Sequence, residues 1–304
     1  MAMTRNKEQS SLVSNFDTIP HTRPVHDEVV SAQEATAETP AWRAFFDALA
    51  ASSESALLLD FDGTLAPFRI DPAKVRPWAG VTALLNKIQQ TGGTRIALVS
   101  GRPAQDVAAQ LRLTQPPEVW GLHGAEHLLP DGSIEFEKLP LRKQLHLKAA
   151  HKALEESGWL AHAGIRRESK WNAVVVHWRG LTEHKAVEAR DAIYRLLHPI
   201  AADGGLETLL FDGGLEMRAG RTKGDSVDLL LAQMNRAAPA AYLGDDTTDE
   251  FAFRALNASS TEAYRLSVLV RRQWRTTAAR LWIRPPASLL AFLRAWLQSI
   301  TTHP

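Results

Sequence analysis

Three short stretches of this chain set carboxylates and a hydroxyl directly behind apolar runs. Asp60-Phe61-Asp62-Gly63-Thr64 follows Ala56–Leu59, Ser100-Gly101-Arg102 follows Ile96–Val99, and Gly244-Asp245-Asp246-Thr247-Thr248-Asp249-Glu250 follows Ala240–Leu243. Asp60 and Asp62 lie two apart, so in an extended chain both face one way while Phe61 turns into the packing. Two carboxylates about 4 Å apart repel by roughly 4 kcal/mol at an effective dielectric near 20. A bound cation cancels that cost, and an all-oxygen ligand set points to Mg²⁺ rather than a softer metal.

Simpler readings account for less. Asp60 and Asp62 match the first and third positions of a calcium-binding loop, but Leu65 stands where that loop needs Gly, and an apolar strand precedes it. Asp245, Asp246 and Asp249 suit the positive end of a following helix. Thr247 with Glu250 three residues later fits a capping box, and Glu250 is assigned mainly to that role. Capping explains one or two of these acids, not the string.

The elements that must position these groups follow from periodicity. Trp42, Phe45, Phe46 and Leu49 form a helical stripe, as do Val81, Leu84, Leu85 and Ile88. Between such stripes stand short, wholly apolar runs at 56–59, 96–99 and 119–122, the pattern of strands covered on both faces. Strand–helix–strand alternation implies right-handed crossovers and a parallel sheet. Such sheets bind ligands beyond the carboxyl ends of their strands, where all three acidic or hydroxyl stretches fall. From about Leu141 the texture changes to helix, alternating strand Ala173–Trp178, helix 183–197 and two strands at 208–211 and 215–218. The alternating α/β pattern resumes with Val227, Leu230, Leu231 and Met234. The expected fold is α/β, a Rossmann-like parallel sheet (residues 41–140 and 220–304) interrupted by an α+β cap (141–219). Residues 1–40 carry few large apolar side chains and are expected to form a flexible arm.

Composition bounds the rest. The chain has 304 residues, 45% hydrophobic, with 35 basic against 34 acidic side chains. A net charge of +1 gives no reason to expect a nucleic-acid partner. The absence of cysteine removes disulfides, thiol nucleophiles and cysteine-ligated zinc. No apolar run approaches the roughly 20 residues of a membrane helix, and the polar opening lacks a signal peptide's apolar stretch. A soluble, cytoplasmic protein that does not engage membranes is expected, with a monomer favoured.

The ordered set D-x-D-G-T, S-G-R, a downstream Lys and G-D-D-x-x-D-E resembles the four motifs of the haloacid dehalogenase superfamily of phosphatases. GLHGAEH at 121–127, ESKWNAVVVHWR at 168–179, LEMRAGRTKG at 215–224 and YLGDDTTDE at 242–250 narrow the resemblance to the trehalose-6-phosphate phosphatases, over about residues 55 to 285. The resemblance implies a sugar-phosphate substrate, Asp60 as nucleophile and Asp62 as general acid and base. It implies Mg²⁺ held by Asp60, the main-chain carbonyl of Asp62 and Asp245, with Asp246 and Asp249 orienting bound water. Ser100, Gly101 and Lys223 would hold the phosphate, Lys223 also reaching Asp60. Glu168, Lys170, Glu216 and Arg218 would contact the sugar. The chain departs from the family pattern at Ala219, where Pro is usual.

Other residues receive plainer readings: Trp171 in the cap core, His177 as a packing residue, His123 and His127 without a metal. Arg271, Arg272, Arg275 and Arg280 are expected on a solvated helix face. Two other functions share parts of the pattern. One is a phosphatase for another sugar ester, such as sucrose 6-phosphate or mannosyl-3-phosphoglycerate. The other is a non-catalytic sugar-phosphate sensor, against which the intact Asp60, Asp62 and Lys223 argue. A nucleotide-driven enzyme is disfavoured because neither GxxxxGK[ST] nor GxGxxG occurs.

Overall fold

The computed structural model describes residues 33–69, 72–211, 213–259 and 264–301. Its main body is an eight-stranded sheet. In chain order the strands are β1 (Ser55–Leu59), β2 (Thr94–Val99), β3 (Glu118–Gly121), β4 (Glu126–Leu128), β5 (Ile134–Phe136), and, in the smaller sheet, β6 (Arg166–Lys170), β7 (Ala173–His177), β8 (Glu207–Phe211) and β9 (Gly214–Arg218). The chain then returns to the large sheet with β10 (Ala240–Gly244), β11 (Arg265–Val270) and β12 (Leu281–Ile283). The spatial order is β12-β11-β10-β1-β2-β3-β4-β5. The first six of these run parallel, while β4 and β5 add an antiparallel edge that periodicity did not reveal.

β1 shows why its run is apolar throughout. Leu57 and Leu59 enter the core beneath α1 (Pro40–Ala50), α2 (Val81–Thr91), α3 (Ala104–Leu111) and α8 (Ala287–Thr301). Ala56 and Leu58 point the other way, into the core shared with α6 (Lys223–Ala232) and α7 (Asp249–Ala258). Alternation thus buries both faces, as a parallel sheet requires. The stripe of α1 meets α8 through aromatic contacts, with Trp42 edge-on to Phe292 at 5.1 Å between ring centroids.

Part of the expected arm is ordered against this body. Ala35 donates its N–H to the Trp282 carbonyl at 2.8 Å, and Glu34 accepts from the Arg284 amide at 3.2 Å. Residues 1–32 lie outside the described residues.

The second sheet has the order β6-β7-β9-β8, antiparallel throughout. α4 (Leu141–Glu156) and α5 (Glu183–Gly204) cover one face, meeting Val174, Val176, Leu215 and Met217. β6 was not expected, because Arg-Arg-Glu-Ser-Lys offers no apolar alternation. It is an edge strand whose register to β7 is set by main-chain bonds. On the other face, the register aligns Lys170, Ala173 and Arg218 in one row and Glu168, Val175 and Glu216 in the next. The two chain crossings between the sheets are tied together, since Glu137 Oε2 accepts the Arg221 N–H at 2.9 Å.

Candidate active site

Strand ends assemble the site. Asp60 follows β1, Asp245 follows β10, and their neighbouring register brings the two stretches together. One carboxylate oxygen from each of Asp60, Asp245 and Asp249 lies within 4.8 Å of the others. Gly63, at φ +82°, lets the loop after β1 press against Asp245; a Cβ there would collide with that carboxylate.

Lys223, at the first turn of α6, donates to Asp60 Oδ1 at 2.8 Å and Asp249 Oδ1 at 2.7 Å, with only 3% of the lysine exposed. Its helix opens on a capping box, Thr222 with Asp225, which fixes where the lysine starts. Tyr242, embedded in the apolar β10, donates its hydroxyl to Asp249 Oδ1 at 2.6 Å. Asp249 Oδ2 accepts the amides of Asp245 (2.8 Å) and Asp246 (3.0 Å). Both Asp249 oxygens are therefore engaged, which suits it to orienting its neighbours. Asp245 Oδ1 is the contrast, buried and without a partner.

Electrostatics follow from this crowding. Burial pushes the Asp60 carboxyl well above its ordinary range; Lys223 opposes the shift, and Asp249 and Asp246 add to it. Burial and then the Asp60 charge raise Asp245 in the same way. Asp246 goes the other way, burial being outweighed by Lys223 and by bonds from the Thr248 amide and hydroxyl. Three converging carboxylates, an orphaned buried oxygen and an all-oxygen donor set fit a hard divalent cation. A positive ion there would reverse the upward shifts.

Ser100 is buried, its Oγ accepting from the Arg102 amide at 3.3 Å. Arg102 grips Asp62, Nη2 donating to Oδ1 at 2.6 Å and Nε to Oδ2. Its place in S-G-R was visible in the sequence, but its partner was not, since the two lie 40 positions apart.

The smaller sheet meets this rim. Lys170 Nζ donates to the Gly101 carbonyl at 3.0 Å and to Glu216 Oε1 at 3.2 Å. Glu216 Oε2 lies 3.2 Å from His123 Nε2. His123 sits at φ 60° beside Leu122 at φ 48°, both left-handed and so strained for these residues. Burial holds its imidazole down at about 4, against the pull of Glu216. Glu216 itself lies well below the usual carboxylate range: burial works against this, but His123 and Lys170 prevail. Asn172 Nδ2 donates to the Leu122 carbonyl at 3.3 Å. Ala219 donates its N–H to the Asn172 carbonyl at 2.8 Å, a bond the family's usual Pro has no hydrogen to make.

Of the four residues expected to contact sugar, Lys170 and Glu216 lie against the acidic rim. Glu168 bonds His177 at 2.8 Å, and Arg218 is buried and bonds Glu207 at 2.7 Å. Three expectations about other residues are corrected. Trp171 is 41% exposed and edge-on to Phe136, outside the cap core. Glu250 makes no capping box with Thr247; α7 begins later, and Glu250 reaches Thr277 and the Ala278 amide, both at 2.8 Å. Arg271, Arg272, Arg275 and Arg280 lie not on a helix but in the stretch joining β11 to β12. His127, read as carrying no metal, bonds Glu118 at 2.9 Å and stacks on Trp120.

The sequence model of the trehalose-phosphatase family matches residues 58–280. A trehalose-phosphate phosphatase of Mycobacterium avium (strain 104) is 30% identical over 257 residues, covering 80% of this chain and 62% of that protein. The chain therefore spans less than two thirds of that relative's length. A probable trehalose-phosphate phosphatase of Sinorhizobium fredii (strain NBRC 101917 / NGR234) is 33% identical over 225 residues, covering 70% of this chain and 78% of that protein. The structure of the C. albicans trehalose-6-phosphate phosphatase C-terminal domain superposes with a TM-score of 0.70 at 20% identity. It covers 84% of this chain and 95% of that domain, a likeness of fold. Among the described residues, no helix is long and apolar enough to cross a membrane.

Proposed function

The chain belongs to the trehalose-phosphatase family, and from that premise we propose that it hydrolyses trehalose 6-phosphate to trehalose and inorganic phosphate. The reaction would run in the cytoplasm as a step of trehalose biosynthesis. The observation that carries this reading is the buried assembly of Asp60 and Asp245 at adjacent strand ends with Lys223 and Asp249 from the first turns of α6 and α7, one of its oxygens left unpartnered.

Asp60 attacks phosphorus and the sugar oxygen departs, leaving an aspartyl-phosphate that water then cleaves. Lys223, charged and fixed between two carboxylates, orients Asp60 and faces the negative charge that spreads over the phosphoryl oxygens. Ser100, the backbone about Gly101 and Lys223 hold the phosphate. Asp62 gives a proton to the departing sugar oxygen and later takes one from water. Both Asp62 oxygens are bonded to Arg102, so the guanidinium has to release at least one of them first. Asp60, the Asp62 carbonyl and Asp245 would hold Mg²⁺, which when bound supplies neutralising charge to the phosphoryl group. Asp249, whose Oδ2 accepts the Asp245 amide, keeps Asp245 in place, and Asp246 and Asp249 would orient water beside the ion. Lys170 and Glu216 pair with sugar hydroxyls, which a site built for hydrogen bonding discriminates strongly. Glu168 and Arg218 take part once His177 and Glu207 yield.

The test is phosphate release from trehalose 6-phosphate and a panel of other sugar esters, with and without EDTA. Release confined to the trehalose ester and abolished by EDTA is expected. Near-equal turnover across the panel would remove the sugar specificity. A folded protein that binds the ester without releasing phosphate would be a sensor instead.

A further inference from the structure

The stretch between β11 and β12 reaches behind the acidic loop. Arg275 Nη2 donates to the Asp246 carbonyl at 2.6 Å and Nε to the Asp245 carbonyl at 3.5 Å. Its Nη1 bonds Glu250 Oε1 and the Thr276 carbonyl. Arg271 Nη1 meets the same Asp245 carbonyl at 3.3 Å. Glu250 is secured in turn by Thr277 and Ala278. From the opposite side, Asp249 Oδ2 takes the amides of Asp245 and Asp246. Three successive peptide planes, 244–245, 245–246 and 246–247, are thus held, two through their N–H groups and two through their carbonyls. Because each plane is rigid, holding it sets the direction in which Cα of Asp245 projects its side chain.

We propose that Arg275 is a positioning residue for the divalent-cation site. It draws the carbonyls of Asp245 and Asp246 outward and so aims the Asp245 carboxylate at Asp60, touching neither ion nor substrate. The planar fork suits this task, since one group spans both loop carbonyls, the Thr276 carbonyl and a carboxylate at once. The guanidinium also places a positive charge on the far side of a loop that bears three acids. The inference rests on the proposed function only in that Asp245 holds the ion.

The experiment measures Mn²⁺ affinity of the full chain by electron paramagnetic resonance, beside phosphate release titrated with Mg²⁺. Arg275→Met keeps the apolar stem and removes the fork. It is expected to weaken Mn²⁺ binding by roughly 10–100-fold, the range seen when groups that orient metal ligands are lost. KM for the ester at saturating metal should stay at the wild-type value. Arg275→Lys should fall between the two, and it decides the matter if Arg275→Met does not fold. Unchanged Mn²⁺ affinity in a folded variant, or a raised KM at saturating metal, overturns the inference alone. A wild-type chain that binds no Mn²⁺ overturns the cation site itself and this inference with it.

Discussion

At the ends of β1 and β10, Asp60, Lys223 and Asp249 are interlocked and almost shut off from water, at 3%, 3% and 0% exposure. The smaller sheet holds its charges in rows along one face, where partners are shared: Lys170 between Gly101 and Glu216, Glu216 between Lys170 and His123. Glu168 and Glu207, the partners of His177 and Arg218, are partly open to solvent. A charge buried among fixed partners cannot move without exposing another to a low-dielectric interior. Glu216 and Arg218 are themselves as closed, at 6% and 1% exposure, but their rows end in the half-open Glu168 and Glu207, which can exchange a protein partner for a substrate hydroxyl at small cost. On the function proposed above, bond-making falls to the large sheet and recognition to the small one.

The sharpest way to break that division is at Asp60. Asp60→Asn should retain the fold and lower turnover by roughly 10⁴-fold or more, as when a member of a catalytic unit is removed. A phosphate-release assay with a circular-dichroism control checks it, and substantial residual turnover would place the nucleophile elsewhere.

Lys223→Met strips two buried carboxylates of their partner. It should cost about 3–5 kcal/mol of stability in metal-free buffer, with part regained on adding Mg²⁺; urea denaturation reads both.

His123 tests the junction between the sheets. Its folded-state value of about 4, set by burial, lies below the ordinary value near 6.5. The unfolded chain therefore takes up the proton first. The contribution is intact above about pH 6.5 and is lost as the pH falls toward about 4. Wild-type stability should decline across that window, and His123→Gln should flatten the decline by roughly 3 kcal/mol at most. Parallel curves for the two proteins would exclude the junction as the source.

The smallest effects belong to the small sheet. Glu216→Gln should lower kcat/KM on the disaccharide ester by about 10–100-fold, in line with bonds to charged groups. It should leave a small aryl phosphate nearly untouched. Glu168→Gln, already satisfied by His177, should cost less than about tenfold on the same scale. Equal losses on both substrates would remove the recognition role from this face.

What the sequence disclosed and what it hid follow one physical divide. Apolar runs such as Leu57–Leu59 announce a doubly covered strand, and the acids at their ends mark the rim. β6 was hidden because its order comes from main-chain bonds, while its side chains read as solvent-facing. Tyr242 looked like one more strand residue; burial of its ring is ordinary, and only three-dimensional proximity joins its hydroxyl to Asp249. Arg275 and Glu250 were misread for the same reason, since charges 25 positions apart neutralise each other across a loop that local propensity cannot see. Local pattern reports what is excluded from water. It does not report which distant charge meets which.

The central place of β1, flanked by β2 on one side and by β10 on the other, bears on how the molecule comes into being. During synthesis Ala240–Gly244 emerges some 180 residues after Ser55–Leu59, whereas all four strands of the smaller sheet lie within residues 166–218. The small sheet can close while the large one still shows an unpaired edge along the strand that leads into Asp60. Such long-range closure is slow, and exposed edges invite wrong pairing. Once its first 218 residues are made, the nascent chain holds every strand of the interrupting segment but not yet every strand of the body it interrupts.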